Sequence, residues 1–285
     1  MTAIINNKYQ VKPLTEALVP ALSHLYKEVF NTVHPVDKVR RKYFSNHQEI
    51  HAKNFLMMYD GQPVAYHGSI ICYGQDQHHR ELGIQTCDFM THKDHRGQGL
   101  FTKLALQNYE ANREMGVRFA WGFPNQNSEH PMLKKLDYLP TKRMNGYSIP
   151  VKGLPVEAIS RKIGWQKSAQ KRIAKILGPL ITKELVANSA SDDQHGGILR
   201  DAAFYASRDY TPNYRIRIDD SLFWVKTEGG FLVGDLTVQS ERQVLKAIEN
   251  LKQLARKLGL NKSIFQSYPG TLLDQILQKQ YPLFP

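Results

Sequence analysis

The sequence places two glycines close together, directly after an arginine, in residues 92–101 (HKDHRGQGLF), between a strand-like and a helix-like run. The first N–H groups of a helix have no intrahelical acceptor and lie at the positive end of the helix dipole, so they bind phosphate well. Gly97 and Gly99 present backbone without side chains, and Arg96 adds a fixed positive charge. The stretch therefore predicts a binding site for a pyrophosphate.

Two common nucleotide-binding motifs do not fit this stretch. A Walker loop would continue with Gly-Lys-Ser or Gly-Lys-Thr, and a dinucleotide fingerprint would have the spacing Gly-x-Gly-x-x-Gly. Neither pattern occurs at this position. Nucleoside triphosphates and NAD are therefore poor candidates for the ligand.

Metal and disulfide chemistry have little support in the sequence. Cys72 and Cys87 are the two cysteines, which is too few for a disulfide framework, so free thiols are expected. His92 and His95 have a spacing that metal ligands can have, but no further Cys or His nearby completes a set. We predict no metal site.

The elements predicted around the loop alternate between helix and strand. Apolar residues at helical spacing predict helices, strict alternation predicts strands, and Asp60-Gly61 predicts a hairpin turn. The predicted order is helix at 14–30, short helix at 34–44, hairpin at 54–74, strand at 83–91, helix at 100–115, strand at 117–123, helix at 128–136 and strand at 147–151.

The C-terminal half repeats part of this order. A hairpin through Gly229-Gly230 precedes a helix that Ser240 and Gln243 start as a capping box, and a strand and a second helix follow. The position equivalent to the N-terminal loop reads Gln-Ser-Glu at 239–241, without arginine or glycine. This copy is therefore not expected to hold a pyrophosphate. An unrelated α/β domain is the alternative for this half.

The loop and its surroundings resemble the GCN5-related N-acetyltransferase (GNAT) superfamily. The acetyl-CoA pyrophosphate loop of that family reads Arg/Gln-x-x-Gly-x-Gly/Ala, and Arg96-x-x-Gly99-x-Phe101 matches it except at Phe101. The preceding strand, "CDFMTHKDHRG", resembles the family's lead-in, although Lys93 replaces the usual proline. Downstream, "FPNQNSEHPMLKKLDY" resembles the family's strand, turn and closing helix. The resemblance covers about residues 10–150.

The resemblance implies a mixed α/β fold, a GNAT-like mixed sheet flanked by helices, in tandem with a second, degenerate GNAT-like domain. From the resemblance and the repeated element order together, we predict an acetyl-CoA-binding domain at 1–150, a basic helix and linker at 151–198, and the degenerate domain at 199–285. The implied activity is transfer of the acetyl group of acetyl-CoA to a primary amine of a small molecule or sugar, by direct attack. A non-catalytic CoA-binding or interaction protein is the alternative.

The resemblance also implies which residues act. The residues implied in cofactor binding are Phe89, Met90, Thr91, Arg96, Gly97, Gln98, Gly99, Leu100, Phe101, Thr102, Asn125 and Asn127. The two asparagines are explained equally well by turn and N-cap chemistry.

The candidate catalytic groups are a carboxylate before the loop and side chains near Tyr138 after it. Asp88 is the carboxylate nearest the loop on the preceding strand, and it is either the base that deprotonates the amine or a structural aspartate. Many relatives carry a proton-donating tyrosine five residues before the closing aromatic Tyr138, where this chain has Leu133. Glu129 and His130 are weaker substitutes.

Charge points to an anionic partner. The net charge is +12, and much of the excess lies between Lys152 and Lys183, where Lys167, Lys171 and Lys175 share one predicted helix face. A surface helix packed on the protein is the plainer interpretation, and contact with a membrane or with nucleic acid is the alternative, nucleic acid being the least favoured partner. The charge also disfavours polyamine acceptors.

Localisation is inferred from what the sequence lacks. No run approaches the roughly 20 apolar residues of a membrane span, and the first residues do not resemble a secretion signal. We expect a cytoplasmic protein. The oligomeric state does not follow from the sequence.

Overall fold

The computed structural model describes residues 8–154, 156, 159–160, 164–191 and 196–284. The strands are β1 (Tyr9–Pro13), β2 (Phe55–Tyr59), β3 (Gln62–Gln75), β4 (Arg80–Thr91), β5 (Phe119–Trp121), β6 (Asn145–Pro150), β7 (Gly197–Ile198), β8 (Tyr214–Ile218), β9 (Ser221–Lys226), β10 (Phe231–Leu236), β11 (Lys262–Ser267) and β12 (Leu283–Phe284). The helices are α1 (Val19–Phe30), α2 (Val36–Tyr43), α3 (Leu100–Glu114), α4 (Glu129–Lys135), α5 (Gln166–Leu177), α6 (Ala202–Ala206), α7 (Glu241–Leu258) and α8 (Leu272–Gln280).

The chain divides into two compact units. The first domain consists of the residues up to Pro140 together with Ala203–Thr211. The second domain consists of Thr141–Ala202 and the residues from Pro212 onward. A short segment that follows the basic helix and linker in the sequence thus belongs to the first domain.

The first domain is built on a mixed sheet with the strand order β1-β2-β3-β4-β5. Neighbouring strands are antiparallel except β4 and β5, which are parallel and joined through α3, as a crossover connection requires. On one face, Leu100 and Leu104 of α3 are buried against Met57 and Ala65. The helices α1 and α2 pack in a separate buried cluster that includes Met90 of β4. The sheet is therefore covered on both faces.

The second domain repeats this arrangement. Its sheet has the order β12-β6-β11-β10-β9-β8, with β9 and β10 antiparallel and β10 and β11 parallel. The helix α7 connects β10 to β11 and buries its apolar stripe in the core. The predicted mixed α/β fold with helices flanking mixed sheets is confirmed, and two sheets form two domains.

One predicted strand lies in a different sheet from the one expected. Residues 147–151 were expected to close the first domain, but β6 pairs with β11 and β12 in the second domain. The first domain ends near Pro140, ten residues before the predicted boundary at 150. The alternation of a strand shows which face is buried, but it does not identify the neighbouring strand.

The predicted basic helix corresponds to α5. Ile173 and Leu177 are buried in the core of the second domain, and Lys171 and Lys175 are exposed. The side chain of Lys167 lies outside the described residues. No helix in the described part of the chain is long and apolar enough to cross a membrane.

Candidate functional site

The predicted pyrophosphate loop lies where β4 ends and α3 begins. A single 3-10 turn, Lys93–His95, follows β4, and Gly97 and Gly99 then adopt φ angles of 76° and 71°. A side chain at either glycine would strain the backbone, since L-residues rarely adopt positive φ. A Cβ atom added to either glycine would have no neighbour within 4 Å, so backbone conformation and not crowding by the protein requires glycine.

The first turn of α3 presents backbone N–H groups without a capping side chain. Gly99 is the N-cap residue, and no side chain among the described residues accepts a hydrogen bond there. The first helical bond runs from the N–H of Lys103 to the carbonyl of Gly99, so the amides of Leu100, Phe101 and Thr102 precede the helical ladder. Leu100 is only 1% exposed and fixes the start of the helix in the core. This arrangement suits an anion that accepts several N–H bonds.

Two contacts hold the loop in place. The Nε atom of Arg96 donates to the carbonyl of Thr91 at 3.2 Å, which keeps the exposed guanidinium beside the end of β4. The hydroxyl of Tyr9 lies 2.8 Å from Nδ1 of His95, which ties the 3-10 turn to β1. The positive charge is thus anchored next to the open helix start.

Part of one edge of β4 has no strand partner, and this unpaired edge leads to the loop. The strand β5 pairs with β4 only over Gly83–Gln85, whereas β4 continues to Thr91. Among the described residues, no strand pairs with β4 on this side beyond Gln85. An extended ligand can pair with such an edge, and ligands of open α/β sheets bind at the carboxyl ends of the parallel strands.

The predicted cofactor residues of β4 lie along this edge. The side chain of Met90 is buried in the core, so Met90 can offer a ligand only its backbone. The ring of Phe89 lies 5.2 Å from that of Phe101, in an edge-to-face arrangement, on the side of the sheet that carries α3. The structure brings these residues together with the loop, and their role as ligand contacts stays a prediction.

Asn125 and Asn127 lie at the turn between β5 and α4. The Oδ1 atom of Asn125 accepts hydrogen bonds from the backbone N–H groups of Asn127 at 2.9 Å and Ser128 at 3.1 Å. Asn125 therefore forms the turn that leads into α4, as the turn interpretation predicts. Both asparagines are exposed, and cofactor contact remains a prediction for them.

Asp88 occupies a β-bulge in β4. Gly68 pairs with Cys87 and Tyr66 pairs with Met90, so His67 faces two residues of β4 where one is usual. Asp88 has a φ angle of 54°, a conformation that aspartate tolerates better than most residues. The bulge turns the carboxylate toward α1 and α2.

Three side chains donate hydrogen bonds to the carboxylate of Asp88. They are the ammonium of Lys42 and the hydroxyls of Tyr26 and Tyr43. Burial alone would raise the pKa of Asp88, but the charge of Lys42 and these hydrogen bonds hold it below its usual range. Asp88 is ionised at neutral pH and is a weak base. These contacts weigh against a strong general base, and the catalytic role of Asp88 stays a prediction.

The segment Ala203–Thr211 contacts the same region of the first domain. The guanidinium of Arg41 donates to the carbonyl of Asp209 at 2.8 Å, and Arg208 donates to the side-chain oxygen of Gln85 at 3.2 Å. The ring of Tyr210 lies 5.6 Å from Nζ of Lys42. Sequence reasoning assigned this segment to the C-terminal domain, and no local signal links it to Asp88.

The hydroxyl of Tyr138, which sequence reasoning missed, lies on the face of β4 opposite the Asp88 carboxylate. The hydroxyl of Tyr138 donates to Oγ1 of Thr86 at 3.4 Å and lies 3.0 Å from the hydroxyl of Tyr109. Thr86 is the first residue of β4 beyond its pairing with β5. Tyr138 was recognised only as the closing aromatic, although its hydroxyl reaches the unpaired edge. Glu129 and His130, the weaker substitutes, lie at the start of α4.

The equivalent helix start in the second domain is closed. Oγ of Ser240 accepts the N–H of Gln243 at 3.3 Å, and the Gln243 side chain accepts the N–H of Gln239 at 3.0 Å. Ser240 therefore caps α7 as predicted, whereas the Gln243 side chain binds the amide of Gln239, one residue before the N-cap. These two bonds occupy amide groups at a helix start that is open in the first domain, and Glu241 adds a negative charge in the first turn.

Among the described residues, no group of three or more His, Cys, Asp or Glu side chains could hold a metal ion. Cys72 and Cys87 are free thiols. Burial raises the pKa of Cys87 to about 11, so this thiol is protonated at neutral pH.

The first domain matches a known protein family. Residues 10–141 match the family model described as the acetyltransferase (GNAT) domain. The resemblance of the loop and its surroundings to that family is therefore confirmed for residues 10–141. No curated protein sequence matches the chain.

Solved structures share the fold over nearly the whole chain. A GCN5-related N-acetyltransferase from Kribbella flavida is 11% identical with a TM-score of 0.57, over 94% of this chain and 66% of that one. A conserved protein from Enterococcus faecalis V583, named a probable N-acyltransferase, is 13% identical with a TM-score of 0.57, over 94% and 68%. A protein from Pyrococcus horikoshii is 14% identical with a TM-score of 0.55, over 99% and 88%. At these identities the likeness shows the fold alone.

Proposed function

We propose that the chain transfers an acetyl group from acetyl-CoA to the primary amine of a small molecule or sugar. The observation that carries this proposal is the uncapped start of α3, beside Arg96 and at the end of the unpaired edge of β4. The amides of residues 97–102 would hold the pyrophosphate, and the backbone of residues 86–91 would pair with the extended arm of CoA. When bound, acetyl-CoA supplies the thioester carbon that the amine nitrogen attacks, forming the C–N bond while the C–S bond breaks.

The acceptor amine must lose a proton before it attacks. For an amine with a pKa near 10.4, the neutral form costs about 4–5 kcal/mol at pH 7, so a base helps. Asp88 is ionised and lies on the part of β4 that has no β5 partner. We propose that the amine proton passes to Asp88 or to water that Asp88 orders. Its hydrogen bonds with Lys42 and the two tyrosines make it a weak base, so its contribution is modest.

A proton donor would stabilise the leaving thiolate by protonating its sulfur. Tyr138 is our candidate, because its hydroxyl contacts Thr86 at the point where β4 and β5 separate. We assign the acceptor to the other face of β4, which Lys42 and the segment Ala203–Thr211 line together with Asp88. The net charge of +12 disfavours polycationic acceptors.

The experiment is thiol release from acetyl-CoA across a panel of amino sugars, amino acids and polyamines, with the acetylated product identified by mass spectrometry. We expect amine-dependent thiol release with at least one amino sugar or amino acid. Thiol release should be lost in Gly99→Val, which alters the loop. The matched control is Gly116→Val, because Gly116 ends α3 at a φ angle of 91° and lies away from the loop. CoA binding without thiol release on any amine would instead identify a non-catalytic CoA-binding protein.

A further inference from the structure

Positive charge is concentrated in one part of the second domain. The segment from Lys152 to Lys183, which we call the basic segment, contains eight of the 38 Lys and Arg residues and one acidic residue, Glu157. It therefore carries seven of the twelve excess positive charges of the chain. Such a concentration favours a partner with a dense negative surface.

The helix α5 gives this charge a fixed orientation. Ile173 and Leu177 are buried at 2% and 0% exposure in the core of the second domain. Lys171 and Lys175 lie four residues apart and are exposed. One face of α5 is thus attached to the protein, and the lysine face is open to solvent.

Large apolar side chains are exposed in the residues that precede and follow α5 in the sequence. Leu154, Ile159 and Trp165 precede the helix with exposures of 77%, 48% and 67%, and Ile181 and Leu185 follow it with 50% and 48%. Five of the twelve exposed large apolar residues in the described part of the chain thus lie within or just beyond the basic segment. Exposed apolar groups in the same segment as a cationic helix face are typical of an interaction surface.

We propose that the basic segment binds the surface of an anionic membrane. Lys171 and Lys175 would contact the lipid headgroups, and Trp165 would lie at the boundary between headgroups and acyl chains, where tryptophan is enriched. The helix has 12 residues, about 18 Å in length, which is well short of the roughly 30 Å hydrocarbon core. The segment therefore lies on the surface of the membrane and does not span it.

Nucleic acid is the other polyanion that the lysines would suit. Its phosphates would attract Lys171 and Lys175, but the exposed aliphatic side chains of Leu154 and Ile181 would gain nothing from a hydrated backbone. A membrane surface accounts for both the charge and the apolar residues, because it offers anionic headgroups above an apolar layer. The combination therefore favours a membrane.

The experiment is co-sedimentation of the full chain with vesicles of phosphatidylcholine alone or mixed with phosphatidylglycerol. We expect binding to the anionic vesicles only, weakened by salt. The Lys171→Gln/Lys175→Gln variant should bind about thirtyfold more weakly, since each lysine near an anionic surface contributes about a fivefold gain in affinity. The Arg242→Gln/Lys246→Gln variant is the matched control, because both of its positions are exposed with the same spacing on α7.

Tryptophan emission gives a second readout. Trp165 is 67% exposed, so its emission should shift to the blue on anionic vesicles, and the Trp165→Phe variant should lose this shift while it still sediments. Circular dichroism on each variant would establish that it is folded. Three results would each overturn the proposal. They are equal sedimentation with both vesicle types, equal weakening of binding in the Arg242→Gln/Lys246→Gln control, and binding to an oligonucleotide without binding to vesicles.

Discussion

The ammonium of Lys42 donates a hydrogen bond to the carboxylate of Asp88, and both side chains are largely buried between β4 and α2. The ion pair keeps Asp88 ionised and limits its basicity. Asp88 adopts a positive φ angle at the bulge, so the strand delivers this carboxylate to the face where we place the acceptor.

We expect Asp88→Asn to lower kcat/KM at pH 7 by roughly tenfold, at or below the low end of general-base effects, because the carboxylate is a weak base. The loss should shrink as the pH approaches the pKa of the amine, where the acceptor deprotonates without help. The measurement is a pH profile of thiol release for both proteins. Asp60→Asn is the control, because Asp60 also has a positive φ angle, 46°, but lies in the β2–β3 turn. A loss that is the same at every pH would remove Asp88 from proton transfer.

Tyr138→Phe tests the proposed proton donor. Without the hydroxyl that contacts Thr86, the thiolate leaves unassisted, and we expect kcat to fall roughly tenfold while the Kd of CoA stays unchanged. Steady-state kinetics and calorimetry on the same preparation separate the two effects. Tyr73→Phe is the matched control on β3. Full activity of Tyr138→Phe would show that Tyr138 does not protonate the leaving thiolate.

His67 predicts how the first domain responds to acid. It is 1% exposed, and burial lowers its pKa to about 3, from about 6.5 in the unfolded chain. Below pH 6.5 the unfolded state gains a proton that the folded state excludes, so stability falls with pH until about pH 3. Between pH 7 and pH 5 this amounts to about 2 kcal/mol.

The test compares the free energy of unfolding of the wild type with that of His67→Phe at pH 7 and pH 5 by denaturant titration. The wild type should lose about 2 kcal/mol more than the variant over this range. The aromatic replacement fills a space bordered by the rings of Phe89 and Tyr109. The same loss in both proteins would mean that His67 is protonated in the folded state.

The loop and the Ser240 cap could be predicted from sequence because their determinants are local. Arg96, Gly97 and Gly99 lie within four residues, and the requirement for positive φ is a property of each glycine. Ser240 and Gln243 likewise form their hydrogen bonds within one helical turn. Such patterns do not depend on the rest of the fold.

The surroundings of Asp88 could not be predicted because they depend on distant parts of the chain. Lys42 and Tyr26 are 46 and 62 residues away from Asp88 in the sequence, and the bulge that orients Asp88 depends on the register of β3 and β4. The place of β6 in the sheet of the second domain depends on distant residues in the same way. Its alternation defines a strand, and only the packed domains determine which sheet receives it.

The central claim is that one loop in the first domain holds CoA and that the closed helix start of the second domain does not. The most direct measurement is a calorimetric titration with CoA of the wild type, Gly99→Val and Gly116→Val. Both variants place a β-branched side chain at a positive φ angle, at opposite ends of α3. We predict one equivalent of CoA for the wild type and for Gly116→Val, and loss of binding for Gly99→Val. Saturation at two equivalents, or unchanged affinity in Gly99→Val, would contradict the account.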